Sequence, residues 1–341
     1  MRVKKRFVVY ADILGTMERY KNPELVVRGR ELLEQALAQI VVPKLSKNDM
    51  YIYIFSDTAI ITCTHMDKLL DCISRLFAHF IDLMEDKDDE ILRLWLRAGI
   101  SHGIVLTVDH LQNSDRVRTL PFLDPSLPKA YKLESIRKGS RIFIDPAISD
   151  KEFEKHKGRL IRWRQITGHG GPVENAGECL WPAIAYGENQ LIEATYTLYQ
   201  RWLIPLEKRT WSRDDYINSV LYHVDETLKL FIRSVCLSSP RQKKNSLLKS
   251  FLPSSSAKQT NIRFKWGFWF QVLKGLAEDL DSSTTESEEF IRVFKTVEEV
   301  IRLGGFLRHF TKELDCIDYA RFRDILFGLG LVSQRYNDEQ R

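Results

Sequence analysis

The chain has 341 residues, of which 44% are hydrophobic and 28% are charged. These values are typical of a globular protein and exclude a fibrous or wholly disordered chain. The formal net charge of +5 is small for this length, so charge predicts no nucleic-acid partner. The five cysteines include no C-x-x-C pair, which favours reduced thiols over a zinc site. No apolar run approaches the ~20 residues that cross a bilayer, so we expect no membrane span and a cytoplasmic protein.

The first part of the chain begins with a strand, a helix and a hairpin. Residues 7–11, FVVYA, form an apolar run typical of a buried central strand, and the run ends at Asp12. Pro23 then favours the first turn of a helix with leucines along one side. The segment YIYIFSDTAIITC consists of two extended apolar stretches around a polar turn. It predicts a tight β-hairpin with Asp57 near its tip.

The next segments complete an alternating pattern. Residues 66–84 have helical apolar spacing, and LRLWLRAGISHGIVLTV predicts a strand that is bent or split around Gly99 and Gly103. A helix is expected after Pro128, ending at Gly139, and SRIFIDPAI predicts another strand. The order β-α-β-β-α-β predicts an α+β fold, a ferredoxin-like (split βαβ) antiparallel sheet with helices on one face.

From about residue 190 the pattern changes to long helical stretches with almost no strand signal. Residues 238–261 are rich in Ser, Pro and Lys, as a flexible loop is. The length of the chain also favours two units. We therefore predict a domain over residues 1–189 and a mainly helical C-terminal region over residues 190–341.

Two aspartates are the main candidates for chemistry. Asp12 ends the first strand and Asp57 lies in the following hairpin, and adjacent central strands would bring the two side chains together. Paired carboxylates repel, and divalent cations between them relieve that repulsion. Two such metal ions form the usual clamp for in-line phosphoryl transfer. Ile13 could add a backbone carbonyl ligand, and Gly15 would let phosphates approach the backbone amides of the turn.

Four segments together resemble a known enzyme family. YADILGT, FSDTAIIT, LRAGISHG and AYKLES have the order and approximate spacing of the class III nucleotidyl cyclase catalytic domain, over about residues 5–165. Within that superfamily the chain looks most like the Pycsar-type pyrimidine cyclases, bacterial anti-phage enzymes that make cyclic UMP or cyclic CMP. The resemblance implies a cyclase palm fold in which Asp12 and Asp57 bind Mg²⁺ or Mn²⁺, with Ile13 as carbonyl donor.

The same resemblance suggests which group stabilises the transition state. Lys132 in AYKLES falls where purine cyclases have an arginine that acts on the α-phosphate. The asparagine expected four residues earlier is replaced by Pro128, and lysine cannot give the bidentate contact of a guanidinium. Lys129 and Arg137 are therefore alternatives for this role.

Base selection rests on two further residues. Tyr53 stands where purine cyclases commonly have a base-reading lysine, and its ring would narrow the pocket in favour of one-ring bases. Arg97 offers donors that suit the oxygens of uracil or cytosine. The alternatives are that Tyr53 is a structural strand aromatic and that Arg97 is an ion-pair partner.

The resemblance implies conversion of UTP or CTP to a 3′,5′-cyclic nucleotide and pyrophosphate by a homodimer with composite active sites. Its product would signal to a cyclic-nucleotide effector in anti-phage defence. Two other readings stay open: an adenylate or guanylate cyclase of the same fold, and a non-catalytic nucleotide-sensing scaffold.

Overall fold

A computed structural model describes residues 2–14, 23–45, 49–85, 95–107, 125–163, 165–168, 171–198, 223–224, 226–231 and 233–234. Gly15, the predicted loop over residues 238–261 and most of the predicted C-terminal helices lie outside these residues. Among the described helices, none is long and apolar enough to cross a membrane.

The strands follow the predicted order and then continue beyond it. In chain order they are β1 (Arg2–Ile13), β2 (Met50–Phe55), β3 (Thr58–Cys63), β4 (Leu96–Thr107), β5 (Ile142–Ile144), β6 (Leu160–Arg162), β7 (Gln165–Gly168), β8 (Gly171–Glu174) and β9 (Gly177–Cys179).

The helices lie between these strands and after them. They are α1 (Pro23–Ile40), a short 3-10 helix (Val42–Lys44), α2 (Met66–Glu85), α3 (Ser126–Glu134), α4 (Asp150–Lys155) and α5 (Trp181–Leu198). A further helical segment comprises residues 223–224, 226–231 and 233–234, and we call it the docking helix.

The main sheet has seven strands in the order β2-β3-β1-β4-β5-β9-β6. Its first four strands are antiparallel neighbours, so the predicted split βαβ core and the α+β class are confirmed. The strand β5 adds to β4 in the parallel direction, which makes the whole sheet mixed rather than purely antiparallel. The central strand β1 lies between β3 and β4, and this position fixes the surroundings of Asp12.

One face of the core sheet is covered by the helices α1 and α2. Alternate residues of β1 (Val9, Ala11 and Ile13) are fully buried in the main hydrophobic cluster. The helices contribute apolar side chains at helical spacing to the same cluster, among them Leu33 and Leu37 of α1, and Leu69, Ile73, Phe77 and Phe80 of α2. Burial of this face fixes the position of β1, and therefore of Asp12, within the sheet.

The helix α3 packs on the opposite face, directly over β4. A Cβ added to Gly99 would collide with the carbonyl oxygen of Ala130, so only glycine allows this close approach. On the same face the ring of Tyr131 meets the ring of Tyr10 edge-on, with centroids 5.2 Å apart. The expectation of helices on one face only was therefore wrong, because AYKLES belongs to a helix that lies on the Asp12 side of the sheet.

Two predicted elements also differ. The strand β4 runs unbroken through Gly99 and Gly103, since its register with β1 is continuous from one end to the other. The helix α3 begins at Ser126 and ends at Glu134, so Pro128 lies inside its first turn, where its missing N–H costs no hydrogen bond.

The division proposed after residue 189 stays a prediction. It lies two residues after Gly187, where α5 has a non-helical kink (φ 62°, ψ 175°).

Candidate active site

Asp12 and Asp57 lie beside each other at the end of the two central strands. Asp12 on β1 pairs with Thr58, the first residue of β3. Asp57 directly precedes Thr58 and lies in the hairpin turn that joins β2 to β3. The Ile13 amide donates a hydrogen bond to the Asp57 carbonyl at 3.3 Å, which ties the turn to the end of β1. The Asp12 side chain is 15% exposed, and Asp57 is also partly buried. The predicted meeting of these residues is therefore seen in the fold.

The electrostatics of Asp12 reflect this arrangement. Burial, and next the negative charge of Asp57, raise the pKa of the Asp12 carboxyl, while Arg97 and Thr58 oppose the rise. The Thr58 hydroxyl donates to Asp12 Oδ1 at 3.1 Å and Arg97 Nη2 donates to Asp12 Oδ2 at 3.3 Å. Both contacts favour the ionised form, yet burial and like charge outweigh them. The positive charge of Arg97 is therefore not enough to offset the effects of burial and of Asp57 on the pKa of Asp12.

Arg97 occupies the position opposite Asp12 on β4. Its guanidinium forms an ion pair with Asp12 and a second, close ion pair with Glu134 of α3. Glu134 is 1% exposed and comes from the AYKLES segment. The helix α3 is therefore linked to the Asp12 carboxylate through one arginine.

The residues at this place suit a divalent cation. A carboxylate oxygen offers about two lone pairs, so the contacts of Asp12 with Thr58 and Arg97 leave acceptor capacity for a metal. Within the described residues the Asp57 carboxylate makes no hydrogen bond or ion pair, and its oxygens are open to a ligand. No group of three or more His, Cys, Asp or Glu side chains in the described part of the chain is placed to hold a metal. The set is two carboxylates, which matches Mg²⁺ sites that are completed by substrate phosphates and water.

The three basic candidates for the transition state lie in different surroundings. Lys129 is 3.7 Å from Asp145, and the guanidinium of Arg137 lies 5.4 Å from the ring centre of Trp163. Lys132 is exposed in the last turn of α3, and in the described structure its ammonium group contacts no acidic side chain. Within a single subunit Lys132 does not contact Asp12 or Asp57, so the catalytic role of Lys132 stays a prediction.

The two candidate base-reading residues lie far apart in one subunit. Tyr53 is on β2 and Arg97 is on β4, with β3 and β1 between them. Three strand spacings of about 4.8 Å separate them by about 14 Å, more than the width of a pyrimidine ring. This is a separation of the two backbones, which the long side chains of tyrosine and arginine would have to span to contact one base. Their roles remain predictions.

Sequence reasoning missed three residues of this site. Thr58 hydrogen-bonds with Asp12, and Glu134 forms an ion pair with Arg97. Tyr10 lies on the same face of the sheet as Asp12, and its hydroxyl hydrogen-bonds with Thr58 at 3.3 Å. The alternation of side chains along a strand could have indicated Tyr10, since it lies two residues before Asp12. Glu134 gave no such signal, because its partner is 37 positions away in the chain.

Solved structures similar to this chain are nucleotide cyclases. The guanylyl cyclase Cya2 is 14% identical over 52% of this chain and 92% of its own, with a TM-score of 0.38. A bacterial light-regulated adenylyl cyclase is 12% identical over 56% of this chain and 99% of its own, with a TM-score of 0.39. The adenylyl cyclase CyaB from P. aeruginosa is 19% identical over 52% and 94%, with a TM-score of 0.36. No protein-family model and no curated protein matches the sequence. At these identities the likeness concerns the fold alone.

Proposed function

We propose that this protein is a pyrimidine nucleotide cyclase that converts UTP, or CTP, to the 3′,5′-cyclic monophosphate and pyrophosphate. One observation carries the proposal: Asp12 and Asp57 lie together beside the end of β1, where burial, and next the negative charge of Asp57, raise the pKa of the Asp12 carboxyl. Asp12 shares its Arg97 counter-charge with Glu134. Neighbouring carboxylates that share one cation in this way suit ligands for divalent cations.

Several residues of this chain would bind the metal ions, orient a metal ligand or contact the triphosphate. Asp12 and Asp57 would bind two Mg²⁺ or Mn²⁺ ions, with the Ile13 carbonyl as a further ligand. The bound ions supply activation of the 3′-hydroxyl and neutralisation of the triphosphate. Thr58 and Arg97 orient the Asp12 carboxylate by their hydrogen bonds. Gly15, which lies outside the described residues, would let the phosphates approach backbone amides.

A second subunit is part of the proposal. Lys132 is exposed and has no acidic partner among the described residues, so its charge is available to the α-phosphate held by another protomer. The adjacent Tyr131 is 54% exposed, and Phe55, beside the Asp57 turn, is 78% exposed. Aromatic side chains are enriched at protein–protein interfaces relative to the rest of the surface. A homodimer with composite sites would cover them and bring Lys132 to the metal-binding aspartates.

Selection of a pyrimidine is proposed from Tyr53. Its ring is half-buried on the edge strand β2, on the same face as Tyr10. A phenol there takes space that a purine would need and offers a hydroxyl to a base carbonyl. Arg97 already pairs with two carboxylates through Nη2 and Nε, so a base would be contacted by its other N–H donors.

The deciding experiment is an incubation of the purified protein with UTP, CTP, ATP or GTP in separate reactions with Mn²⁺, followed by separation and mass analysis of products. We expect cyclic UMP or cyclic CMP, with the Asp57→Asn protein as the inactive control. Cyclic AMP or cyclic GMP as the main product would keep the enzyme class and overturn the pyrimidine assignment. If no triphosphate is consumed although the protein binds one, the nucleotide-sensing scaffold is the better description.

The biological role that we propose is signalling in anti-phage defence, in which the cyclic nucleotide acts on a separate effector. It rests on the resemblance of the four sequence segments to Pycsar-type cyclases. Cells that carry the wild-type gene should accumulate the cyclic pyrimidine nucleotide after phage infection, and cells with Asp57→Asn should not.

A further inference from the structure

The docking helix contacts three consecutive residues of the catalytic unit. The amide of Gly139 donates to His223 Nδ1 at 3.0 Å, and the amide of Ser140 donates to Thr227 Oγ1 at 2.8 Å. Arg141 Nη1 donates to a carboxylate oxygen of Glu226 at 3.0 Å. The helix therefore binds the backbone of the segment that joins α3 to β5. We call residues 139–141 the joining segment.

The approach of the two elements is close and requires a glycine. Gly139 has φ +91°, and a Cβ there would lie 2.8 Å from Cβ of Glu226. An L side chain disfavours both this φ and this distance. The contact is therefore built into the fold rather than incidental to two neighbouring surfaces.

The joining segment also holds the start of β4. The Ser140 hydroxyl donates to the Leu96 carbonyl at 2.8 Å, and the Ala98 amide donates to the Arg141 carbonyl at 2.9 Å. Leu96 and Ala98 are the two chain neighbours of Arg97, the residue that pairs with Asp12 and Glu134.

We propose that the docking helix is a positioning element of the active site and that Thr227 is a positioning residue within it. The contacts run from Thr227 through Ser140 to Leu96 and from Glu226 through Arg141 to Ala98, and so through Arg97 to the Asp12 carboxylate. This inference rests on the proposed cyclase function, since Arg97 and Asp12 are assigned to that reaction. Misplacement of a reacting group by about 1 Å can cost about 100-fold in rate, so a loosened β4 should lower turnover measurably.

The chain offers a matched control for this test. Thr227 and Thr195 are both fully buried threonines whose hydroxyl groups donate to the carbonyl four residues earlier, at 2.8 and 2.6 Å. Only the Thr227 hydroxyl also accepts a bond from the Ser140 amide. Thr227→Val and Thr195→Val thus remove the same group from two helices, but only Thr227→Val removes a bond to the joining segment. The helix α5 contacts that segment through the Trp181 indole, 14 residues before Thr195.

The experiment measures kcat and KM with the preferred triphosphate and Mn²⁺, and amide hydrogen exchange at Ala98, for each full-length variant. We expect Thr227→Val to lower kcat by about 10-fold, with little change in KM, and to speed exchange at Ala98 by a similar factor. Thr195→Val should change both by less than about twofold, and Thr227→Ser, which keeps the hydroxyl, should restore both.

A second variant covers the case in which Thr227→Val does not fold. Ser140→Ala removes the bond to Leu96 while leaving the docking helix intact, and it should reproduce the fall in kcat and the faster exchange. Equal behaviour of the Thr227 and Thr195 variants, or wild-type kcat and exchange in Ser140→Ala, would overturn the inference. An inactive wild-type protein would refute the proposed function, and exchange at Ala98 would still decide whether the docking helix holds β4.

Discussion

Two clusters of charged side chains in this protein differ in composition and in burial. At the candidate active site, Asp12 and Glu134 pair with one guanidinium, that of Arg97, and Asp57 lies near Asp12, which leaves two negative charges in excess when all are ionised. In the interior cluster, three cations meet two carboxylates. Its members are Arg141, Glu178, Glu226, Lys229 and Arg233, all nearly or fully buried.

Each charged side chain of the interior cluster has an oppositely charged partner. Glu178 accepts from Arg141, from Arg233 at 3.1 Å and from the Trp163 indole at 3.0 Å. Glu226 accepts from Arg141 and from Lys229 at 2.7 Å. Buried charges are tolerated when each has partners of this kind. The comparison predicts that the paired interior cluster serves folding, whereas the cluster with excess negative charge, which we call the open cluster, serves ligand binding.

The largest expected effect is on activity at the open cluster. Asp57→Asn removes one metal-binding carboxylate, and we expect cyclase turnover to fall by about 1,000-fold or more. The thermal midpoint Tm should stay the same or rise, because the substitution also removes a negative charge that destabilises ionised Asp12. Turnover and Tm are measured on the same preparation. A large loss of Tm would mean that Asp57 serves the fold rather than a ligand.

The interior cluster should give the opposite result. Glu178→Gln leaves Arg141 and Arg233 without a buried counter-charge, and we expect a loss of about 3 kcal/mol or more in the free energy of unfolding. Asp71→Asn is the control, since its ion pair with Arg159 is nearly half-exposed and should contribute less than about 1 kcal/mol. Urea titration measures both. Similar losses in the two variants would contradict the distinction between the clusters.

The open cluster should also depend on a second subunit. Lys132→Ala is expected to lower turnover by about 100- to 1,000-fold. Mixing Lys132→Ala with Asp57→Ala protein should restore part of the activity, because one site of a mixed dimer then carries neither change. Measurements of size and mass check that the two variants have exchanged subunits. If they have and activity does not recover, the sites are not shared between subunits. Lys129→Ala is the comparison on the same helix.

The smallest expected effect is the pH dependence of stability. The pKa of Asp12 is raised in the folded protein, so the folded state binds its proton more tightly than the unfolded state does. Binding of this proton stabilises the folded protein, and the full stabilisation is present below the ordinary aspartate pKa of about 4. The stabilisation is lost as the pH rises through the raised pKa of Asp12.

Asp12→Asn carries no such proton and should therefore be more stable than wild type at neutral pH. This advantage should shrink as the pH is lowered toward 4, as measured by urea titration across that range. Adding Mn²⁺ should stabilise the wild type alone, because the asparagine variant lacks the metal ligand. A constant difference at all pH values would show that Asp12 does not titrate differently in the folded protein.

Local sequence patterns predicted most of the core. The apolar run before Asp12, the hairpin around Asp57 and the helix after Pro23 were all confirmed, because each depends on neighbouring residues in the chain. The position of AYKLES on the Asp12 face was missed. That position depends on contact between Gly99 and the backbone of Ala130, which periodicity does not encode.

The sequence by itself determined the strand and helix order, and it indicated that two carboxylates would end adjacent strands. Tertiary structure alone decided that Glu134 reaches Arg97, that Thr58 holds Asp12, and that the docking helix binds residues 139–141. Strand and turn signals act over a few residues, so they can be read along the chain. Partners that are far apart in sequence meet only after the sheet and the helices have packed.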